Sequence, residues 1–133
     1  FLAFYLLCGL IAGVVHTLRN PDATIPAVGA SGAIAGILGA YIVLFPLARV
    51  LVLFPILIYP LFFELPAVIY LGLWFLIQFT SGTSAMAGQA TSAGIAWWAH
   101  IGGFVAGILL HRLFLLPQWR RRRKTRVERY GIG

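Results

Sequence analysis

The chain has 133 residues, of which 61% are hydrophobic and only 10% charged. A soluble domain carries about a quarter charged residues, so this composition excludes an ordinary soluble fold and points to a membrane protein. The net charge of +7 does not mark a nucleic-acid binder, because most of it comes from one terminal cluster, Arg120-Arg121-Arg122-Arg123-Lys124 with Arg126 and Arg129, and no basic-aromatic surface accompanies it.

The other charges are segregated. None lies between Ile25 and Ala48, and no Asp, Glu, Lys or Arg lies between Leu65 and His111. Uncharged runs of this length read as membrane spans, and the chain suits about four of them. The first covers residues 1–18. It starts at Phe1 inside a hydrophobic run, without a Met, a charged leader or a helix-start signal, which suggests a fragment whose upstream part is missing rather than a signal peptide. Gly9 and Gly13 give it a small-residue spacing for close helix contact, and Cys8 reads as a small buried hydrophobe with no disulfide partner in the chain. Arg19-Asn20-Pro21-Asp22 ends the span and opens a polar loop to about residue 28.

The second span covers residues 30–47. Gly32, Gly36 and Ala40 recur every fourth residue along it, with Gly39 beside them. On a helix this is a smooth stripe where another backbone can come close. Residues 50–63 are apolar over only about 14 positions, too few for a span. Pro55 and Pro60 would interrupt a helix there, and Arg49 and Glu64 bracket the segment, so it is expected to leave and return at one surface. The third span covers residues 65–79, with Pro66 in a first helical turn. Residues 80–94, rich in Ser, Thr, Gly and Ala, read as a flexible loop. The fourth span covers residues 95–116, with Trp97, Trp98 and Trp119 placed as an aromatic belt.

The expected architecture is therefore all-α: a polytopic helical bundle over residues 1–117, followed by a basic cytoplasmic tail over 118–133. A cytoplasmic tail sets the orientation. The fourth span then runs inward, the third outward and the second inward. Ser31 and His100 fall at the same, outer, leaflet provided that residues 50–63 do not cross.

Ser31 lies in Gly29-Ala30-Ser31-Gly32, and His100 in Ala99-His100-Ile101-Gly102-Gly103-Phe104-Val105-Ala106-Gly107. Taken alone, Ser31 reads as a small residue at a packing face and His100 as a histidine bonded between helices. Together they form a pattern: each sits near the outer end of a span and is continued inward by a glycine stripe, Gly32 and Gly36 in one, Gly103 and Gly107 in the other. Contact at equal depth would bring Ser31 Oγ within reach of His100. A serine hydroxyl is a weak nucleophile until a base takes its proton, and a neutral imidazole can take it and return it to a leaving amine. Asp22 is in the outer loop and Glu64 at the opposite surface, so a Ser-His dyad is expected rather than a triad. Three separated histidines and one cysteine show no metal-ligand spacing, so neither a metal nor another cofactor is expected. His111, beside Arg112, reads as interfacial.

These two stretches resemble the GxSG and AHxxGxxxG signatures of rhomboid intramembrane serine proteases. Phe63-Glu64-Leu65-Pro66-Ala67 and Gly72-Leu73-Trp74-Phe75 are similar to the bacterial branch. The resemblance implies a six-helix core of which this chain matches the third to sixth helices, Ser31 as nucleophile, His100 as base, and the Ser31 backbone N–H as an oxyanion-hole donor. It further implies transmembrane protein substrates in the lipid bilayer and a bacterial inner-membrane location. Two departures stand out. The family's HxxxN motif belongs to a helix not found here; His16-Thr17-Leu18-Arg19-Asn20 fits by letter, but it ends a span instead of beginning one, so the chain by itself is expected to be inactive. Some members also stack a tyrosine, four residues after the nucleophile, on the histidine; here that position is Ala35. The competing reading is a non-catalytic rhomboid-like protein that binds membrane clients, which would share the fold without needing both Ser31 and His100. A transporter or channel fits less well, since its spans should carry more polar pathway residues.

Overall fold

The computed structural model describes residues 1–22, 29–56, 59–87 and 96–115. Among them, helices α1 (Leu2–Arg19) and α2 (Ser31–Leu44) are followed by strands β1 (Arg49–Ile56) and β2 (Tyr59–Pro66), then helices α3 (Ala67–Met86) and α4 (Trp97–Phe114). The fold is thus mainly helical, with one antiparallel hairpin between its second and third helices. The basic tail and Trp119 lie outside the described residues.

Helix α4 is the centre of the bundle. It packs most extensively on α2, then on α1 and α3, while α2 and α3 barely meet. Its sequence explains this position: Ala99, Gly102, Gly103, Ala106 and Gly107 are all buried, and small residues on several faces let several helices approach. The close contacts fix the directions. Gly32 lies against Gly103 and Gly36 against Gly107, so α2 and α4 run parallel. Ala12 meets Gly32 while Cys8 meets Gly36, so α1 runs antiparallel to both. Helix α3 is antiparallel to α4, with Gly82 near Trp97 and Trp98, and Phe75 stacked on Phe104.

Helix α1 turns Phe4, Cys8 and Ala12 inward and most of its large side chains outward. Cys8 and Ala12 are buried, whereas Leu2, Leu6, Leu10, Val14 and Leu18 form an exposed stripe at four-residue spacing. In water this arrangement would leave an unusually large apolar patch uncovered. In lipid it costs nothing, because the acyl chains are as apolar as leucine and close packing of small residues is what holds the helices together. Leu2–Arg19 and Ala67–Met86 are long and apolar enough to cross a bilayer.

Three expectations change. Helix α2 stops at Leu44, giving 14 residues and not the full length of residues 30–47. The cause is Pro46, which disfavours helical geometry at the preceding residue; Phe45 accordingly leaves the helix at φ −137°, ψ 56°. Helix α3 continues through Met86, so residues 80–86 are helical and not a loop. Their hydroxyls do not break the helix because they bond to it: Thr80 Oγ1 donates to the Leu76 and Ile77 carbonyls, and Thr83 Oγ1 to those of Phe79 and Thr80. The rest of the expected loop, residues 88–94, lies outside the described residues. Trp98 is not an exposed belt residue. It is buried, with the Arg19 guanidinium 4.7 Å over its ring and Phe79 edge-on to it.

The apolar segment after α2 is a hairpin, with Arg49 paired to Pro66 and Val52 to Phe63. Pro55 and Pro60 oppose one another near its tip; proline cannot continue a helix and is tolerated in sheets on edge strands, which both strands here are. Arg49 Nη1 donates to Glu64 Oε2 at 2.7 Å. Both side chains are largely exposed, so the pair adds little stability; its effect is to mark both strands as lying at one level. The hairpin base is tied to α3 by Ala67 N–H to Ala48 O at 2.8 Å and Val68 N–H to Pro46 O at 2.9 Å. It therefore lies at the end of the bundle opposite Ser31. A two-stranded sheet leaves two open edges, which lipid cannot satisfy, so the segment does not cross. Cysteines placed at Arg49 and at Glu64 should react with a membrane-impermeant maleimide from the same face of sealed vesicles, against a low background because the native Cys8 is 0% exposed. Labelling from opposite faces would refute this topology.

Candidate active site

Ser31 is the first residue of α2 and is exposed; His100 is in the first turn of α4 and is half-buried. Because α2 and α4 run parallel, the two residues sit at the same end of the bundle. The chain enters α2 through Gly29 at φ +127°, a backbone region that side chains rarely adopt. The helix begins sharply there. Its first bond runs from Ile34 N–H to Ala30 O at 3.0 Å, so the N–H groups of Ser31, Gly32 and Ala33 have no carbonyl within the helix.

The level of the two residues is set by backbone contact between the glycines. A side chain at Gly103 would start where the Gly32 carbonyl oxygen lies, and one at Gly107 where the Gly36 carbonyl lies. In the other direction, a Cβ on Gly32 would come within 3.4 Å of the Ala99 carbonyl and one on Gly36 within 3.2 Å of the Gly103 carbonyl. A side chain on Gly39 would run into the Phe104 carbonyl. The helices thus interlock in the order Ala99, Gly32, Gly103, Gly36, Gly107. Each carbonyl faces a glycine Cα, the arrangement of Cα–H···O contacts at close helix crossings. Ser31 and His100 are the residues adjoining the top step of this ladder. Among the described residues their side chains make no hydrogen bond to each other.

The imidazole is held from the other side. His100 Nδ1 lies 2.7 Å from Gln78 Oε1 on α3, and the Trp74 indole packs on the ring at a centroid distance of 5.9 Å and 37° between planes. Trp74 is in turn 5.8 Å from the Phe104 ring. Ala35, at the position where some rhomboids carry tyrosine, is 1% exposed and packs with Ala67, Leu71 and Phe104. The support for the histidine ring comes from α3.

Gln78 was not singled out from the sequence. It is 6% exposed, deep in a helix with no charged residue. A signal was present: Ala67, Leu71, Trp74, Gln78 and Gly82 follow one another at steps of three or four, a single helix face, and four of them, all but Trp74, are buried. An amide on that face must bond to something inside the bundle.

The other two histidines have local roles. The Asn20 side-chain amide donates to the His16 carbonyl at 3.0 Å and lies 3.4 Å from its Nδ1, closing the end of α1. His111 is buried in the last turns of α4, and its Nδ1 donates to the Ile108 carbonyl of its own helix at 2.6 Å.

Residues 1–117 match the family model described as Rhomboid domain. Comparison with curated proteins and with solved structures gives no match.

The glycine ladder predicts opposite outcomes for the same substitution at two sites. Gly103→Ala sets a methyl against the Gly32 carbonyl and should destabilise the bundle by about 1–3 kcal/mol, as overpacking does. Gly13→Ala points into open space and should be neutral or stabilising by about 0.5–1 kcal/mol, since alanine is the better helix former. Thermal unfolding in detergent separates them, and equal melting points would refute the ladder.

Proposed function

The chain belongs to the rhomboid family, and we propose that it acts as an intramembrane serine endopeptidase cleaving transmembrane proteins near one face of the bilayer. The observation that carries this reading is the parallel glycine-seamed pair α2 and α4, which starts Ser31 and His100 at a common level. In the proposed reaction, Ser31 Oγ attacks the scissile carbonyl carbon as its proton passes to His100 Nε2. The negative charge that develops on the carbonyl oxygen is met by the Ser31 N–H at the start of α2, where N–H groups with no carbonyl within the helix and the helix dipole favour an anion. Collapse of the intermediate expels the amine, which takes the proton from His100, and water then hydrolyses the acyl-enzyme. Ser31 is exposed, and both the attack and the hydrolysis need that access.

The reading extends to location: a bacterial inner membrane, with the basic tail cytoplasmic and the Ser31 end of the bundle on the outer side. The second reading, a non-catalytic family member that binds membrane clients, is favoured by one observation, the absence of a direct Ser31–His100 hydrogen bond among the described residues. Catalytic bonds are often long before substrate binds, so this does not outweigh the shared level of the pair.

The full-length protein, incubated with a fluorophosphonate probe and with a transmembrane substrate, should be labelled at Ser31 and should cleave. Ser31→Ala and His100→Ala should each lower turnover by about 10⁴-fold or more, the size of effect seen when one member of a cooperating catalytic set is removed. Absent labelling, or cleavage that survives both substitutions, would favour the client-binding reading.

A further inference from the structure

We propose that Gln78 is a positioning residue that fixes the tautomer of His100. The geometry is a 2.7 Å contact between Gln78 Oε1 and His100 Nδ1, made by a side chain only 6% exposed. A carbonyl oxygen accepts and cannot donate. The short contact therefore requires the proton on Nδ1, and a neutral imidazole with Nδ1–H has its lone pair on Nε2. Nε2, on the ring edge away from Gln78, is the atom that a nucleophilic serine would need as its base. The opposite tautomer would put a hydrogen on Nε2 and set two lone pairs, those of Nδ1 and Oε1, against each other at bonding distance.

Several features make this bond a fixed one. Gln78 lies on the buried seam of α3, with Leu71 and Gly82 on the same face. Trp74, one turn earlier on that seam, packs against the His100 ring and restricts its rotation. No Asp, Glu, Lys or Arg lies on α3 or α4 apart from Arg112 at the far end of α4. The acceptor is therefore a neutral amide where other serine hydrolases place a carboxylate. It can orient the imidazole but carries no charge with which to stabilise an imidazolium.

The consequence for turnover rests on the protease reading; the tautomer itself does not. The test is nitrogen-15 NMR of the full-length protein, labelled at histidine and held in bilayers, with the His100 signals assigned by their loss in His100→Ala. The wild type should show a protonated Nδ1 and an unprotonated Nε2. Gln78→Met, close in size and without an acceptor, should move the population toward Nε2–H. It should lower kcat at least tenfold with KM changed less than twofold. A wild-type His100 protonated on Nε2 would mean that Gln78 donates its amide, and would overturn the proposal without any variant having to fold. Unchanged tautomer and kcat in Gln78→Met would overturn it as well. A wild type that holds Nδ1–H but neither cleaves nor labels at Ser31 would remove the protease reading and with it the positioning role, leaving the hydrogen bond as a structural one.

Discussion

The contact on which everything else depends is backbone against backbone. Where α2 meets α4, carbonyl oxygens occupy the space in which side chains would begin. Lipid offers no hydrophobic drive to push helices together, so their association must come from close packing and from weak polar contacts. Cα–H···O contacts contribute about 0.5–1 kcal/mol each, and only glycine allows them at this distance. The same contact acts as a ruler. Because Gly32 is seated between Ala99 and Gly103, the residues next to it in each helix are held at one level, and a slip along the seam would have to pull several carbonyls out of their seats together. Stability and the common level of Ser31 and His100 are one property.

Much of this was legible in the sequence because lipid imposes strict rules. Charge-free runs, the four-residue spacing of Gly32 and Gly36, and the matching Gly103 and Gly107 are patterns that few other arrangements satisfy. The hairpin ends were legible as well: Arg49 and Glu64 bracket a segment too short to cross. What misled was composition borrowed from soluble proteins. Thr80, Ser81, Gly82, Thr83 and Ser84 suggest a loop in water, where hydroxyls compete with the helix for hydrogen bonds. In this structure the Thr80 and Thr83 hydroxyls turn back onto helix carbonyls and Gly82 lies against Trp98, so the helix continues. The end of α2 was misjudged for a different reason, since hydropathy continues through Leu47 while the constraint that Pro46 places on Phe45 is local and conformational.

Gln78 shows a further limit. An amide carries no charge and no motif, so a search for acids, bases and metal ligands passes over it. Its position acquires meaning only through the neighbours that packing assigns, His100 on one side and the α3 seam on the other. The choice of an amide also follows from the surroundings. A carboxylate in this place would be buried among apolar residues, and a buried charge is more costly than a bonded neutral dipole. An uncharged acceptor fixes the ring at a fraction of that cost.

The two halves of the site hang on opposite faces of α4 with very different firmness. Toward α2 the helix is locked by glycine contacts that no side-chain motion can loosen. Toward α3 it is held by Trp74, Phe75, Gln78 and the approach of Gly82 to Trp98, a seam of larger side chains, and α3 has little contact with any other helix. The α3 seam is thus the less extensive of the two. Displacing that helix would leave Ser31 and His100 level with one another while removing both the ring packing and the Nδ1 acceptor of the histidine. The common level of Ser31 and His100 is set by the glycine seam, while the packing and the Nδ1 partner of the imidazole come from the α3 seam.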